Sequence, residues 1–323
     1  MCLALGRSEE SASRPLRSNL AGRRMRGFGL IELMIAILLG LLVSAAAIAI
    51  FQSNRQTYHT IQGLGRVQEG AQMAFVLMAR DLREAGANPC EVGLPVANVV
   101  NDFTRNWWTN FAQPLIGLDD GAATGSRSGS DAIRILAVGD EVVNVIGHSG
   151  TLLRVDAARF GMGDVLMVCD LHQLAIFRVT SAAGRDIDHA RAGGNCSDSL
   201  NVTPAPCAAD ASAYLYQHNA MVGRLDAVQW TVRDNGRGGV SLYRTDNGIA
   251  EEMVEGISDL QLNYLQPEVD ADQYVSAGAI TDWAKVRAVS IALTLVAGSS
   301  SDNGRERIER RLTQVVNLRN RVP

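Results

Sequence analysis

A long apolar segment near the N-terminus is the most prominent feature of the hydrophobic pattern. Residues 28–51 read FGLIELMIAILLGLLVSAAAIAIF and contain one charged residue, Glu32. A helix of that length extends about 36 Å, which covers a hydrocarbon core of about 30 Å. The run is too long for a secretory signal, although small residues at 44–47 offer a cleavage site. The pattern predicts a membrane-spanning helix, with a cleaved signal or a buried core helix as alternatives.

The following segment predicts that the helix continues past the membrane. Residues 52–62 are polar but compatible with helix, and glycines follow at positions 63, 65 and 70. Each glycine costs a helix about 1 kcal/mol relative to alanine. We therefore expect a bend or a melted stretch around residues 63–70.

An amphipathic helix is predicted after the glycines. Its apolar residues recur at three- and four-residue steps, namely Val67, Ala71, Ala74, Phe75, Met78 and Leu82. Its polar face is expected to carry Arg80, Asp81, Arg83 and Glu84. Gly86 is a candidate C-cap, and Pro89 stops the helix. The apolar stripe indicates a helix that packs on a sheet.

Beyond residue 87 the pattern is that of strands. About ten short segments are apolar or alternating and are separated by glycine or polar turns. They cover residues 132–138, 141–146, 151–155, 164–169, 175–180, 227–232, 240–244, 260–264, 286–296 and 314–318. One long helix followed by these strands predicts an α+β fold, with the helix laid against antiparallel sheet and with extra strands or a second lobe.

Three stretches are predicted to be loops. Residues 119–130, DDGAATGSRSGS, are nearly featureless, and we expect them to be mobile. Residues 185–212 are rich in Gly, Asp and Ala, and residues 101–117 contain Trp107 and Trp108. The tryptophan pair is either an exposed contact patch or the cap of a small core.

Charge restricts both function and orientation. Charged residues make up 20% of the chain, and the net charge is −4. The negative net charge argues against a protein that binds nucleic acid by general charge attraction. Arg17, Arg23, Arg24 and Arg26 precede the apolar segment, whereas the side that follows it is neutral to acidic. The positive-inside rule then places the N-terminus in the cytoplasm and the residues after Phe51 outside.

Four cysteines follow the predicted span. An even number in an oxidising compartment predicts two disulfides, for which three pairings exist. Cys196 and Cys207 flank ten residues of one loop and form the preferred pair, which leaves Cys90 and Cys169 to join the helix end to the sheet. The spacing of Cys169 and His172 also suits zinc, but the compartment and the spacing of the second pair favour disulfides.

The sequence contains no pattern typical of an active site. It has no Gly-x-Ser-x-Gly and no His-Glu-x-x-His, and its Gly63-Leu64-Gly65 lacks the third glycine of a phosphate-binding loop. We therefore predict no catalytic residue, no cofactor and no metal. The acidic residues Glu268, Asp270 and Asp272 are either a calcium site or a solvated loop.

The start of the apolar segment carries a recognisable signature. The run Arg26-Gly27-Phe28-Gly29-Leu30-Ile31-Glu32 resembles that of type IV prepilins and of the pseudopilins of type II secretion. The resemblance implies that a peptidase cuts between Gly27 and Phe28 and that Phe28 is then N-methylated. Gly29 departs from the usual Thr or Ser. Residues 1–27 become the leader, whether translation starts at Met1 or Met25.

Glu32 is the residue that most needs an explanation. A carboxylate inside a membrane span costs roughly 2.5–3.5 kcal/mol on insertion scales. The resemblance implies that Glu32 neutralises the new α-amine of Phe28 on a neighbouring subunit during assembly. The alternative is that Glu32 reaches the membrane interface, since it lies only one turn inside.

Three further stretches resemble PilW-type minor pilins: residues 80–86, 254–262 and 316–321. The implied protein helps to start, and tips, a type IV pilus used in twitching motility and adhesion. A large minor pseudopilin of type II secretion is the nearest alternative, and a membrane-anchored sensor or enzyme domain is a remote one. The implied parts are a leader (1–27), an assembly helix (28–51), its periplasmic extension (52–86) and a β-rich globular domain (87–323).

The resemblance also implies the partners and the location. The partners are other minor pilins, the major pilin, the prepilin peptidase, the inner-membrane assembly platform and a pilus-tip adhesin, with no direct contact to nucleic acid. The protein would cross the inner membrane once, keep its C-terminal domain in the periplasm and later enter the pilus.

Overall fold

The computed structural model describes residues 29–102, 105–203, 207–208, 212–267, 273–297 and 308–319. The leader, Phe28 and the acidic residues Glu268, Asp270 and Asp272 lie outside the described residues. The chain divides into two units, residues 1–58 and residues 59–323, and each is described by itself.

A single helix, α1, spans Leu30–Glu84. The helix continues through all three glycines. The prediction of a melted stretch at residues 63–70 is therefore wrong. Gly86 follows the helix with a φ of 75°, the left-handed conformation of a glycine C-cap, as predicted. Its N–H donates to the carbonyl oxygen of Leu136 at 2.9 Å, which ties the helix end to the sheet.

Fourteen strands are described. They are β1 (Val96–Asn98), β2 (Leu115–Leu118), β3 (Ala132–Ser149), β4 (Leu152–Val155), β5 (Val165–Cys169), β6 (Leu174–Arg178), β7 (Ser181–Ala183), β8 (Asp186–Asp188), β9 (Met221–Asp234), β10 (Val240–Asp246), β11 (Ile249–Glu255), β12 (Ile257–Leu265), β13 (Ala288–Ala297) and β14 (Ile308–Asn317). Single 3₁₀ turns occupy Trp107–Thr109, Ala277–Ala279 and Trp283–Lys285.

The strands form two sheets, which together with α1 make the predicted α+β, pilin-like fold. The larger has the order β1-β6-β5-β9-β3-β4-β8-β7, with β2 on β3 and the β10–β11 hairpin on β9. The smaller has the order β12-β13-β14. Its pairs are antiparallel, whereas β1 runs parallel to β6 in the larger sheet. Strand β3 joins two predicted strands through an irregularity between Val138 and Val142.

The largest apolar core lies between α1 and both sheets. All six residues of the predicted apolar stripe are buried in it, against β9, β10 and the three strands of the smaller sheet. The assignment of Asp81 to the polar face is wrong, because Asp81 is only 7% exposed. Arg80 and Arg83 are exposed as predicted.

Two further cores are built from residues 97–227, a region that we call the lobe and whose main strands belong to the same large sheet as β9 and β10. The tryptophan pair belongs to the edge of one of them, since both rings are partly buried and pack on its apolar residues. Each ring is also covered by a guanidinium, Arg134 over Trp107 at 4.8 Å and Arg178 over Trp108 at 5.8 Å. The pair therefore caps a small core, which was one of the two predicted alternatives.

The segment 119–130 is held in place by hydrogen bonds, so the predicted mobility has no support in the structure. The N–H of Arg127 donates to the carbonyl oxygen of Val232, and the N–H of Gly121 donates to that of Ser130, both at 2.8 Å. The carboxylate of Asp119 accepts from the N–H groups of Ala277 and Gly278. The contacts with Val232, Ala277 and Gly278 could not be predicted from local sequence, because these residues are far along the chain.

A histidine pair lies in the lobe, with His189 buried and His148 half-buried. Nε2 of His148 and Nε2 of His189 lie 2.9 Å apart, and the N–H of Tyr216 donates to Nδ1 of His148. Burial is the main cause that lowers the pKa of His189 to about 4; His148 lowers it further, while Asp188 and Asp198 oppose the shift. Burial also lowers the pKa of His148.

This pair predicts that the protein loses stability on mild acidification. Since the folded-state pKa lies below the unfolded value of 6.5, the unfolded chain binds more protons as the pH falls through 6.5. From His189 alone, we expect the free energy of unfolding to be about 2 kcal/mol lower at about pH 5 than at about pH 7.5. Denaturant unfolding of the full chain in detergent measures the difference.

The control for this experiment is His172, which is exposed. His172→Gln should leave the pH dependence unchanged, whereas His189→Gln should reduce it between about pH 5 and 7.5 to the smaller part that His148 contributes. Equal stability of the unmodified protein at the two pH values would show that the pair is not held neutral by burial.

Candidate functional site

The first candidate surface is the N-terminal part of α1. Residues Leu30–Arg55 have a mean hydropathy of 2.8 over the most apolar window, and none of that window is buried within the chain. Such a surface is large compared with the exposed apolar patches of soluble monomers, so it requires lipid or other helices around it. By length and composition it is able to span a membrane.

Glu32 lies in the first turn of α1, and its carboxylate has a local partner. The N–H of Gly29 donates to Oε2 of Glu32 at 3.2 Å, while Leu33 donates to the carbonyl oxygen of Gly29. A glutamate at this position commonly reaches back to the N–H of the residue before the helix. A negative charge here also favours the helix dipole. Glu32 is exposed, so its carboxylate remains accessible to a second group.

The second candidate site is a buried junction between α1 and the sheet. Oδ2 of Asp81 accepts from the indole Nε1 of Trp230 and from Nε of Arg244, both at 2.8 Å. Arg244 also donates to Asp246 at 2.7 Å. The side chain of Asp81 is 8% exposed and that of Arg244 24%, so the ion pair is poorly solvated. One carboxylate on the helix therefore fixes two adjacent strands, β9 and β10.

The passage from the larger to the smaller sheet occurs at Gly256. Its φ is 86°, a conformation that is strained for any residue with a side chain. A Cβ atom at this position would lie 3.1 Å from the carbonyl oxygen of Val296. The N–H of Gly256 donates to Val240 in β10, and its carbonyl accepts from Val296 in β13. One glycine is thus hydrogen-bonded to both sheets.

Two disulfides are formed, Cys90–Cys169 and Cys196–Cys207, which is the pairing that the sequence predicts. The first joins the segment after α1 to the end of β5, and the second closes a loop of the lobe. Because Cys169 is bonded to Cys90, it has no free thiolate for zinc. Within the described ranges, no group of three or more His, Cys, Asp or Glu residues is placed to hold a metal ion.

Comparison with known protein families decides the assignment. Residues 22–48 match the prokaryotic N-terminal methylation motif, and residues 229–320 match the model of type IV pilus-assembly protein W, PilW. Both matches support a type IV prepilin of the minor-pilin kind. No curated protein and no solved structure matches it. The motif and the apolar helix together fit a membrane-anchored pilin, and both family matches indicate a structural role rather than a catalytic one.

The PilW match covers most of the strands that contribute to the largest core. It begins within β9 and runs through β14, so it contains the two strands that Asp81 fixes and the whole smaller sheet. These elements and the C-terminal part of α1 build the largest core. The lobe formed by residues 97–227 lies between the two matched segments of the chain.

Sequence reasoning missed the role of Asp81 and the strands β1, β2, β7, β8 and β11; β2 begins in one predicted loop and β8 lies in another. Asp81 lies three residues after Met78 and four before Ala85, both buried, so its position at the border of the apolar stripe was a usable signal. Strand β11 has an almost wholly exposed, glutamate-rich sequence, and it is a strand because it pairs with β10.

Proposed function

We propose that this prepilin is a minor subunit that takes part in initiating a type IV pilus and lies at its tip. The PilW match over residues 229–320 is the observation that carries the proposal, since it distinguishes a pilus from the pseudopilin alternative. Twitching motility and adhesion would follow from the pilus, not from chemistry on this chain.

Processing is the first step of the proposed function. The peptidase would cut between Gly27 and Phe28, residues that lie outside the described part of the structure, and Phe28 would be N-methylated. The four arginines before the span favour a cytoplasmic N-terminus. The two disulfides after the span support an oxidising compartment for the remainder, the bacterial periplasm. The domain after residue 86 would then be periplasmic until it enters the pilus.

Assembly is the second step. In a bundle of such helices, the carboxylate of Glu32 would lie close to the Phe28 amine of a neighbouring subunit and neutralise it. Both charges are tolerable away from water only when they are paired. The contact of Glu32 with Gly29 holds the carboxylate at the helix end, where that amine would arrive.

The lobe suggests how the tip is used. The lobe lies outside the segment that matches PilW and has its own apolar cores. Both disulfides stabilise it. We propose that the helix, once the prepilin peptidase has removed the leader, contacts other minor pilins, the major pilin and the inner-membrane assembly platform. The lobe would face outward, toward the surroundings or a tip adhesin.

The proposal is tested by recovering the chain from surface filaments. Filaments sheared from cells should contain it at low abundance. A chain present at normal level in the membrane but absent from filaments, in cells with normal pili and impaired protein secretion, would instead identify the pseudopilin alternative.

A further inference from the structure

Two of the edge strands, β14 in the smaller sheet and β11 in the larger, carry opposite charge. In the described residues, β14 is hydrogen-bonded only to β13, and β11 only to β10. An open edge exposes a row of unpaired N–H and C=O groups that can accept another strand. The composition of the edge then decides which strand is accepted.

The β14 edge is long, regular and basic. Its ten residues pair with β13 in continuous register, without a bulge. Residues 309–315 are all exposed, including Leu312 and Val315. Arg310 and Arg311 make no ion pair with any described residue. This strand therefore lacks the bulge and the proline that usually protect a sheet edge.

The β11 edge is acidic. Residues 249–252 are exposed, with Ile249 at 70%. Glu252 is paired with Arg237 of the turn between β9 and β10, whereas Glu251 has no ion pair among the described residues. The strand contains Glu251, Glu252 and Glu255 and no basic residue.

Charge determines which edges are compatible. Two β11 edges would bring six glutamates and no basic residue together, whereas β14 carries Arg310 and Arg311 next to one acidic residue, Glu309. Like charges directly opposite each other destabilise a strand pair, whereas opposite charges stabilise it. The charges thus disfavour pairing of β11 with itself, and for the acidic β11 edge they favour β14 as the partner strand.

The registers agree with this combination. An antiparallel pair that places Arg310 opposite Glu252 also places Arg311 opposite Glu251. A parallel pair that places Arg310 opposite Glu251 also places Arg311 opposite Glu252. Either strand direction therefore matches both arginines with both glutamates.

We propose that β14 of one copy of this chain adds to the β11 edge of a second copy. The contact uses different surfaces on the two copies, so it is head-to-tail and extends from copy to copy. It is a contact between the globular parts in addition to any packing of the apolar helices. The proposal concerns self-association only, and it stands or falls independently of the pilus function.

The test uses the full chain in detergent, with association measured by sedimentation equilibrium. Arg310→Glu/Arg311→Glu and Glu251→Arg/Glu252→Arg should each weaken association at least tenfold. A mixture of the two variants should recover association, because the reversed charges again match. Association should also weaken as salt is raised, since the paired side chains are exposed.

Two controls separate this contact from others. Arg105→Glu/Arg191→Glu changes the net charge equally at exposed positions away from both edges and should leave association unchanged. Thermal unfolding should show that the edge variants fold normally; Glu251→Arg alone replaces the second variant if loss of the Arg237 contact impairs folding. Absence of salt-sensitive association in the unmodified chain, or failure of the mixture to recover it, overturns the proposal.

Discussion

Replacement of Glu32 by alanine should leave the protein in the membrane at normal level and reduce its presence in surface filaments more than a hundredfold. Insertion should not suffer, because removal of a lone charge makes the span easier to insert. Assembly should suffer because the Phe28 amine of a neighbour would lose its partner. Breaking one side of a buried ion pair costs about 3–5 kcal/mol, which is a factor of hundreds or more.

The structure supplies a control that separates this role from a local one. Glu32 accepts a hydrogen bond from Gly29, and a glutamine is also able to accept it at this position. If Glu32 serves only the helix end, Glu32→Gln should assemble nearly as well as the unmodified protein. If its charge pairs with the amine, Glu32→Gln should fail as Glu32→Ala does. Sheared filaments and membrane fractions from a deletion strain that expresses each variant provide the measurement.

Replacement of Asp81 by alanine should destabilise the folded domain by about 3–5 kcal/mol, the usual cost of removing one partner of a buried ion pair. The same oxygen accepts from Trp230 and Arg244, so both donors would be left without it. Asp81→Asn should cost less, because an amide oxygen still accepts from the indole. Denaturant unfolding in detergent, followed by tryptophan fluorescence, measures the change.

Arg80 is the matched control for Asp81. It is the adjacent residue on the same helix and pairs with Glu84, with the two side chains 62% and 47% exposed. Exposed pairs of this kind contribute little, so Arg80→Ala should change the free energy of unfolding by less than about 0.5 kcal/mol. Comparable effects of Arg80→Ala and Asp81→Ala would contradict the assignment of Asp81 as the group that fixes α1 to β9 and β10.

The parts of the fold that could be predicted depend mostly on the spacing of residues that are close in sequence. The apolar span, the amphipathic stripe and the C-cap at Gly86 depend on residues close in sequence, and spacing alone reveals them. The disulfides required only an even number of cysteines and one short loop. The glycines at 63, 65 and 70 show the limit of propensity, because their summed cost did not end the helix in the structure. Gly70 lies against Val254 and Leu295, so packing contributes at that position.

What could not be predicted depends on distant partners. Asp81 is buried because Trp230 and Arg244 meet it, and these lie 149 and 163 residues away. The segment 119–130 is ordered by residues near 232 and 277 for the same reason. Strand β11 has no apolar alternation, so only its pairing with β10 defines it. In each case the sequence shows the residues themselves but not the distant residues that they contact in the fold.

The most direct test of the central claim is the N-terminal mass of the chain recovered from sheared surface filaments. A processed pilin should begin at Phe28, with one methyl group on its α-amine, and should lack the 27 residues before it. A bulky replacement of Gly27 should prevent this cleavage. A chain that begins at Met1, at Met25 or beyond Ala45 would contradict the account, because it would be an unprocessed membrane protein or the product of an ordinary secretory signal.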